Sequence, residues 1–181
     1  MSHDSEKTNA VLGLMIIAAV ICHAGTMTFS LITFWYDFAI CKFFAHAAVT
    51  FMILHALMSI CLFFFQHDGS DMRYSRQNMR TLLQRITAVV MIVLIHFHTS
   101  AYAHMATGET LSTGTAVFRC ITECIYILSV FLHTAMSFSR ALVTLGWISS
   151  MRTAARIDRF ACIVCGPAAI CSLFAVIRFF L

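Results

Sequence analysis

Apolar residues along this chain come in long unbroken blocks, and the polar residues gather in the short stretches between them. Five blocks stand out, at about 11 to 35, 38 to 66, 83 to 106, 115 to 147 and 158 to 180. Each is long enough for a helix to cross a hydrocarbon layer, which takes about 20 residues. Some have residues to spare, so tilt or overhang into the headgroups is expected. Barrel strands are excluded, because those alternate apolar and polar positions over about ten residues. The pattern predicts an all-α integral membrane bundle of five transmembrane helices.

Composition supports this. The chain has 181 residues, of which 60% are apolar and 11% charged, with a single proline, whereas soluble domains are about half apolar. The first block exceeds the roughly 7 to 15 residue core of a signal peptide, and only Lys7 precedes it as a basic residue, so it is expected to remain as a span. Short connections and the lack of repeats make 1–181 one transmembrane domain in a multi-pass protein.

The net charge of +4 sets topology and gives no reason to expect nucleic acid. Lys7, Arg73, Arg76, Arg80, Arg85, Arg140, Arg152, Arg156 and Arg159 fall on one side, against Lys42, Arg119 and Arg178 on the other. The positive-inside rule therefore places the N-terminus and the 2–3 and 4–5 connections in the cytoplasm. The 67–80 stretch, HDGSDMRYSRQNMR, reads either as a docking surface for a soluble partner or as an ordinary positive-inside loop.

Histidines change the picture, because an ionisable residue in hydrocarbon costs a few kcal/mol or more and calls for a partner. Helix 1 carries His23, helix 2 His46 and His55, helix 3 His96 and His98 with His104 at its end, and helix 4 His133; helix 5 has none and reads as support, with Pro167 to kink it. His46 and His55 fall on opposite faces of one helix, and His96 and His98 are about 200° apart, so each pair offers one inward member. Counted from the outer ends, His23 and His98 lie about 12 to 18 Å deep and His55 and His133 about 25 to 27 Å deep. That gives two tiers, each with one pair.

Neutral imidazole is the commonest metal ligand, and a helical bundle core is a usual place for a cofactor. Two bis-histidine sites stacked across a membrane suit two b-type haems that pass electrons between a soluble partner and a lipid-soluble carrier. Small Ala24 and Gly25 beside His23 are expected to let a flat group approach. Propionates need cationic or polar partners, and Gln84, Arg85 and Arg140 are placed for the inner haem, Arg119 for the outer. A copper carrier expects methionine or cysteine pairs along one face. Here the eleven methionines are scattered and the eight cysteines, Cys162 and Cys165 included, read as packing residues. An anchor without cofactors leaves the four histidines unexplained.

Two segments resemble a known family, the single-subunit, five-helix dihaem cytochrome b anchors of succinate:menaquinone oxidoreductases and quinol:fumarate reductases. LQRITAVVMIVLIHFH at 83–98 is similar to the family's LQRxTG run ending at a haem-ligating histidine. LHTAMSFSRALVTLGW at 132–147 is similar to its HxxxGxxSxxxTxG segment. The 30-residue step from His55 to Arg85 adds to this. Ala88 and Ser137 stand where the family has glycines, so close haem packing is strained there.

The resemblance implies His23 with His98 for the outer haem iron and His55 with His133 for the inner. It implies a quinone-reactive electron-transfer subunit in the cytoplasmic (inner) membrane, with no dicarboxylate active site of its own. The partners are an iron-sulfur subunit and a flavoprotein subunit carrying FAD, and the electron carrier is menaquinone. Dihaem subunits of hydrogenase or formate dehydrogenase type are the alternative. His46 is the residue that could replace a ligand if helix 2 were rotated. Glu123, about 12 Å inside helix 4, either pairs with Arg119 one turn away or exchanges the proton that accompanies quinone chemistry. The inner arginines Arg73, Arg76, Arg80, Arg152 and Arg156 are expected to face the iron-sulfur subunit.

Overall fold

The computed structural model describes residues 2–65, 75–102 and 110–181. These residues form five α-helices and no strand: α1 (Ser2–Thr33), α2 (Phe38–Phe65), α3 (Ser75–Ala101), α4 (Thr113–Thr144) and α5 (Met151–Phe180). Every one is long and apolar enough to span a membrane. The helices start earlier than the apolar blocks. α1 takes in the polar turns before residue 11, α3 those before 83 and α5 those before 158. Hydrogen bonding continues a helix past the hydrocarbon boundary as long as no breaker intervenes, so hydropathy marks the span and not the helix end. The 66–74 and 103–109 segments, with Arg73, His67 and His104, lie outside the described residues.

Local chemistry explains the ends that are described. α1 stops where Phe34 takes a left-handed φ of 58°, which a large residue rarely adopts. Asp37 then accepts from the amides of Ala39 and Ile40 at 2.9 and 3.1 Å and starts α2. α4 opens on Ser112, whose hydroxyl accepts from Thr115 N–H at 3.3 Å. It closes at Gly146, with φ 77°, where the amides of Gly146 and Trp147 return to the carbonyls of Val143 and Leu142. That is a Schellman closure, and only glycine takes the left-handed position cheaply. α5 continues through Pro167.

The outer surfaces are apolar. Only 6% of the hydrophobic window of each of α1, α2 and α3 is buried within the chain, against 28% for α4 and α5. In water such faces would be an aggregation hazard, whereas in lipid they are the ordinary solvent-facing surface. Contacts between helices use small residues, among them Ala48, Ala135, Ala169, Ala175, Ser129 and Ser172. Without a hydrophobic drive between helices in lipid, close backbone approach supplies the attraction. At one end Leu31, Ala101, Cys120, Val176 and Phe180 close a compact plug.

The packing pattern positions the site. α1 packs on α2, α4 and α5, and α4 packs on α3 and α5 as well. Among the described residues the backbone of α2 comes close only to that of α1, and the backbone of α3 only to that of α4. Neither the α1–α3 pair nor the α2–α4 pair brings its backbones together, so the space between the helices of each pair is left to side chains.

Candidate functional site

His23 on α1 and His98 on α3 meet across that space, with ring centroids 6.0 Å apart and planes at 87°. Both line a cavity of about 270 Å³ that also draws on Ala24, Ala45, Met91, Glu123, Tyr126 and Val130. His46 and His96 are exposed and do not line it. Gly25 opens instead onto a separate groove with Phe29 and Trp35, so the close-approach role expected of Ala24 and Gly25 falls to Ala24 alone.

His98 is held on three sides. Its Nδ1 lies 2.8 Å from Glu123 Oε2, and Tyr126 stacks on its face at 4.5 Å and 21°. Tyr102 meets it edge-on at 6.1 Å and donates its hydroxyl to the same Glu123 oxygen at 3.3 Å. Glu123 is wholly buried, and its Oε1 has no partner. Arg119 turns away from it and donates to the Ala101 carbonyl at 3.0 Å, at the end of α3. The pairing of Glu123 with Arg119 that was one of its two expected roles is not formed, since Glu123 bonds His98 and Tyr102 among the described residues. His23 Nδ1 is buried without an aligned hydrogen bond, the Cys41 backbone lying beside it.

The other two histidines occupy a second tier. His55 Nδ1 lies 3.1 Å from the Asn9 carbonyl, and Asn9 and Ser59 bond each other at 3.1 Å. Gly13 on α1 faces the ring, and a Cβ there would meet His55 Cε1 in ordinary van der Waals contact at 3.5 Å. His133 Nδ1 lies 3.1 Å from the Gln84 carbonyl and 3.1 Å from Thr87 Oγ1. Thr87 spends its own proton on the Leu83 carbonyl at 2.9 Å, so its oxygen accepts. His55 and His133 are within electrostatic reach of each other.

One chemical feature unites His55, His98 and His133. In each, Nδ1 faces a carbonyl or carboxylate acceptor, which fixes the proton on Nδ1 and leaves the Nε2 lone pair without a hydrogen bond among the described residues. Metal-bound histidines are oriented in this way.

The polar residues expected to serve propionates are differently engaged. Arg140 donates to Gln84 Oε1 and Thr81 Oγ1, both at 2.7 Å, and Gln84 donates to Ser137 at 2.9 Å. Arg85 is exposed. Arg80, expected on a docking surface, is instead a clamp. It holds Asp158 of α5 through two bonds at 2.7 and 2.8 Å and also reaches Ser139 and the Met136 carbonyl of α4. All eight cysteines are free. At the cavity edge, burial and then nearby Cys41 raise the pKa of Tyr36, which keeps its hydroxyl a donor.

The sequence reading missed Tyr102, Tyr126, Asn9 and Asp158. Tyr102 is four residues after His98 and Tyr126 three after Glu123, spacings that share a helix face and could have pointed to them. Comparison with family profiles, curated proteins and solved structures finds no match to this chain. The architecture that stands is an all-helical protein with five helices fit to cross a membrane.

Proposed function

We propose that the chain is a dihaem cytochrome b, the membrane anchor of a succinate dehydrogenase or fumarate reductase complex, carrying electrons between an iron-sulfur subunit and menaquinone. One observation carries the reading. Two histidine pairs stand on helices whose backbones do not approach each other, and three of the four rings are turned so that Nε2 is the open atom. His23 and His98 would hold the outer group and His55 and His133 the inner. Bound there, haem supplies reversible one-electron transfer through a medium that excludes water.

The chain's own residues do the rest. Asn9, Gln84 and Glu123 orient the imidazoles, while the hydrophobic shell of Met91, Ile95, Val130 and Phe131 around the outer pair keeps solvent away. Gln84 and Arg140 form a polar node beside His133 suited to an anionic edge. A quinone belongs at the end of the cavity lined by Tyr36, Lys42 and Thr99. Quinone-linked proton exchange at Glu123 rests on Oε1, the oxygen that neither His98 nor Tyr102 engages. The charge distribution along the sequence favours a cytoplasmic N-terminus in the cell's inner membrane.

The resemblance of residues 83–98 and 132–147 to succinate and fumarate enzymes favours those complexes over hydrogenase or formate dehydrogenase partners. A copper carrier expects methionine or cysteine pairs along one face, whereas the eleven methionines of this chain are scattered. The test is a pyridine haemochrome assay on the purified complex, expected to return about two b haems per chain, with succinate reducing them when the soluble subunits are present. One haem or none overturns the dihaem reading. Two haems that only another donor reduces overturn the assignment of the complex.

A further inference from the structure

The four histidines are not held alike. His55 and His133 face neutral backbone carbonyls, His23 has no aligned partner, and only His98 faces a carboxyl group, 2.8 Å away and fully buried. A carboxylate is a stronger acceptor than an amide carbonyl. An Nδ1–H shared with it pushes electron density onto the ring and raises the basicity of Nε2. Low dielectric around Glu123 strengthens the effect.

The geometry points to Glu123 as a positioning residue that makes His98 the strongest donor among the four histidines and thereby lowers the reduction potential of the outer haem relative to the inner. This rests on the dihaem reading. Coordination through Nε2 requires the proton on Nδ1, which makes Glu123 Oε2 the acceptor of that bond. A stronger axial donor stabilises the oxidised iron, so the potential falls. Tyr102 tempers the effect. Its hydroxyl donates to the same Oε2 and so withdraws part of the oxygen's acceptor strength from His98. Tyr126, stacked on the ring, holds the plane in which the Nδ1–Oε2 bond is made.

This arrangement predicts two variants with opposite signs. Glu123→Gln keeps an acceptor of the same shape but removes the carboxylate, and the outer haem's potential rises. Tyr102→Phe leaves Oε2 to His98 alone, and the same potential falls. The rise in Glu123→Gln reaches at least a tenfold change in the one-electron equilibrium, about 59 mV. The inner haem, whose histidines touch neither residue, does not move.

The experiment is a potentiometric titration of the purified complex followed by haem absorbance, with the outer component identified as the one missing in His98→Ala. Opposite shifts confined to that component support the assignment. Shifts of one sign, equal shifts in both components, or none overturn it. Where Glu123→Gln fails to retain the outer haem, Tyr102→Phe decides: a lowered potential supports the assignment and an unchanged or raised one overturns it. A wild-type complex without haem sinks the dihaem reading itself, an outcome distinct from all of these.

Discussion

His98 and His96 are two residues apart on α3, yet one lines the cavity and the other faces outward. The cause is the helical repeat, which turns about 100° per residue. On the dihaem proposal, replacing His98 by alanine is expected to remove one of two haems from the absorption spectrum, whereas His96→Ala keeps both. Loss of a haem in the His96 variant, or in a His46 variant, would show that the rings are assigned wrongly. Periodicity alone says that each pair on α2 and α3 has one inward member, and the choice of His55 and His98 came from the resemblance. Their partners could not be read in the sequence, because Asn9 and Gln84 act through backbone carbonyls, which every residue has and no sequence motif marks. Glu123 was visible as a buried carboxyl, but Arg119 at i−4 was as plausible a partner as a histidine on another helix.

Single helices were the easiest objects to read. Their existence follows from block length, while their ends depend on residues that hydropathy ignores, such as Asp37 starting α2 and Gly146 closing α4. α5 looked like mere support, and beside its apolar packing it carries a polar attachment. Asp158 pins α3 and α4 through Arg80 and Ser139. The pair is part-exposed, with side-chain accessibilities of 27% and 30%, so its worth is below that of a fully buried ion pair. Asp158→Asn keeps the shape and removes the charge. It is expected to cost about 1–2 kcal/mol, seen as a lower unfolding temperature in detergent. An unchanged temperature would mean the clamp forms without contributing.

For the whole molecule, α1 and α4 each pack on three neighbours, with α2 held on α1 and α3 on α4. Apolar surface faces outward over most of the length, which fits a protein dissolved in lipid. Of the arginines expected at a docking surface, Arg152 and Arg156 are exposed at the start of α5, unlike Arg80. On the proposed function, reversing both to glutamate is expected to release soluble partner subunits from the membrane, seen as loss of succinate dehydrogenase activity from the membrane fraction, with the haem spectrum retained. If assembly survives, these charges serve orientation alone.

By itself the sequence determined that the protein is helical, that it has five membrane-length helices and that one inward histidine stands on each of the first four. Those properties depend on block length and on the turn per residue, both local. Only the tertiary structure decided which helix backbones come close, where space is left between α1 and α3, and which atom holds each imidazole. It also decided that Arg80 meets Asp158 across 78 residues of chain, and that Glu123 meets His98 instead of its own neighbour Arg119. These are pairings between distant segments. In an apolar medium any nearby donor satisfies a buried acceptor, so the choice among candidates is made by how the backbones pack and not by residue type.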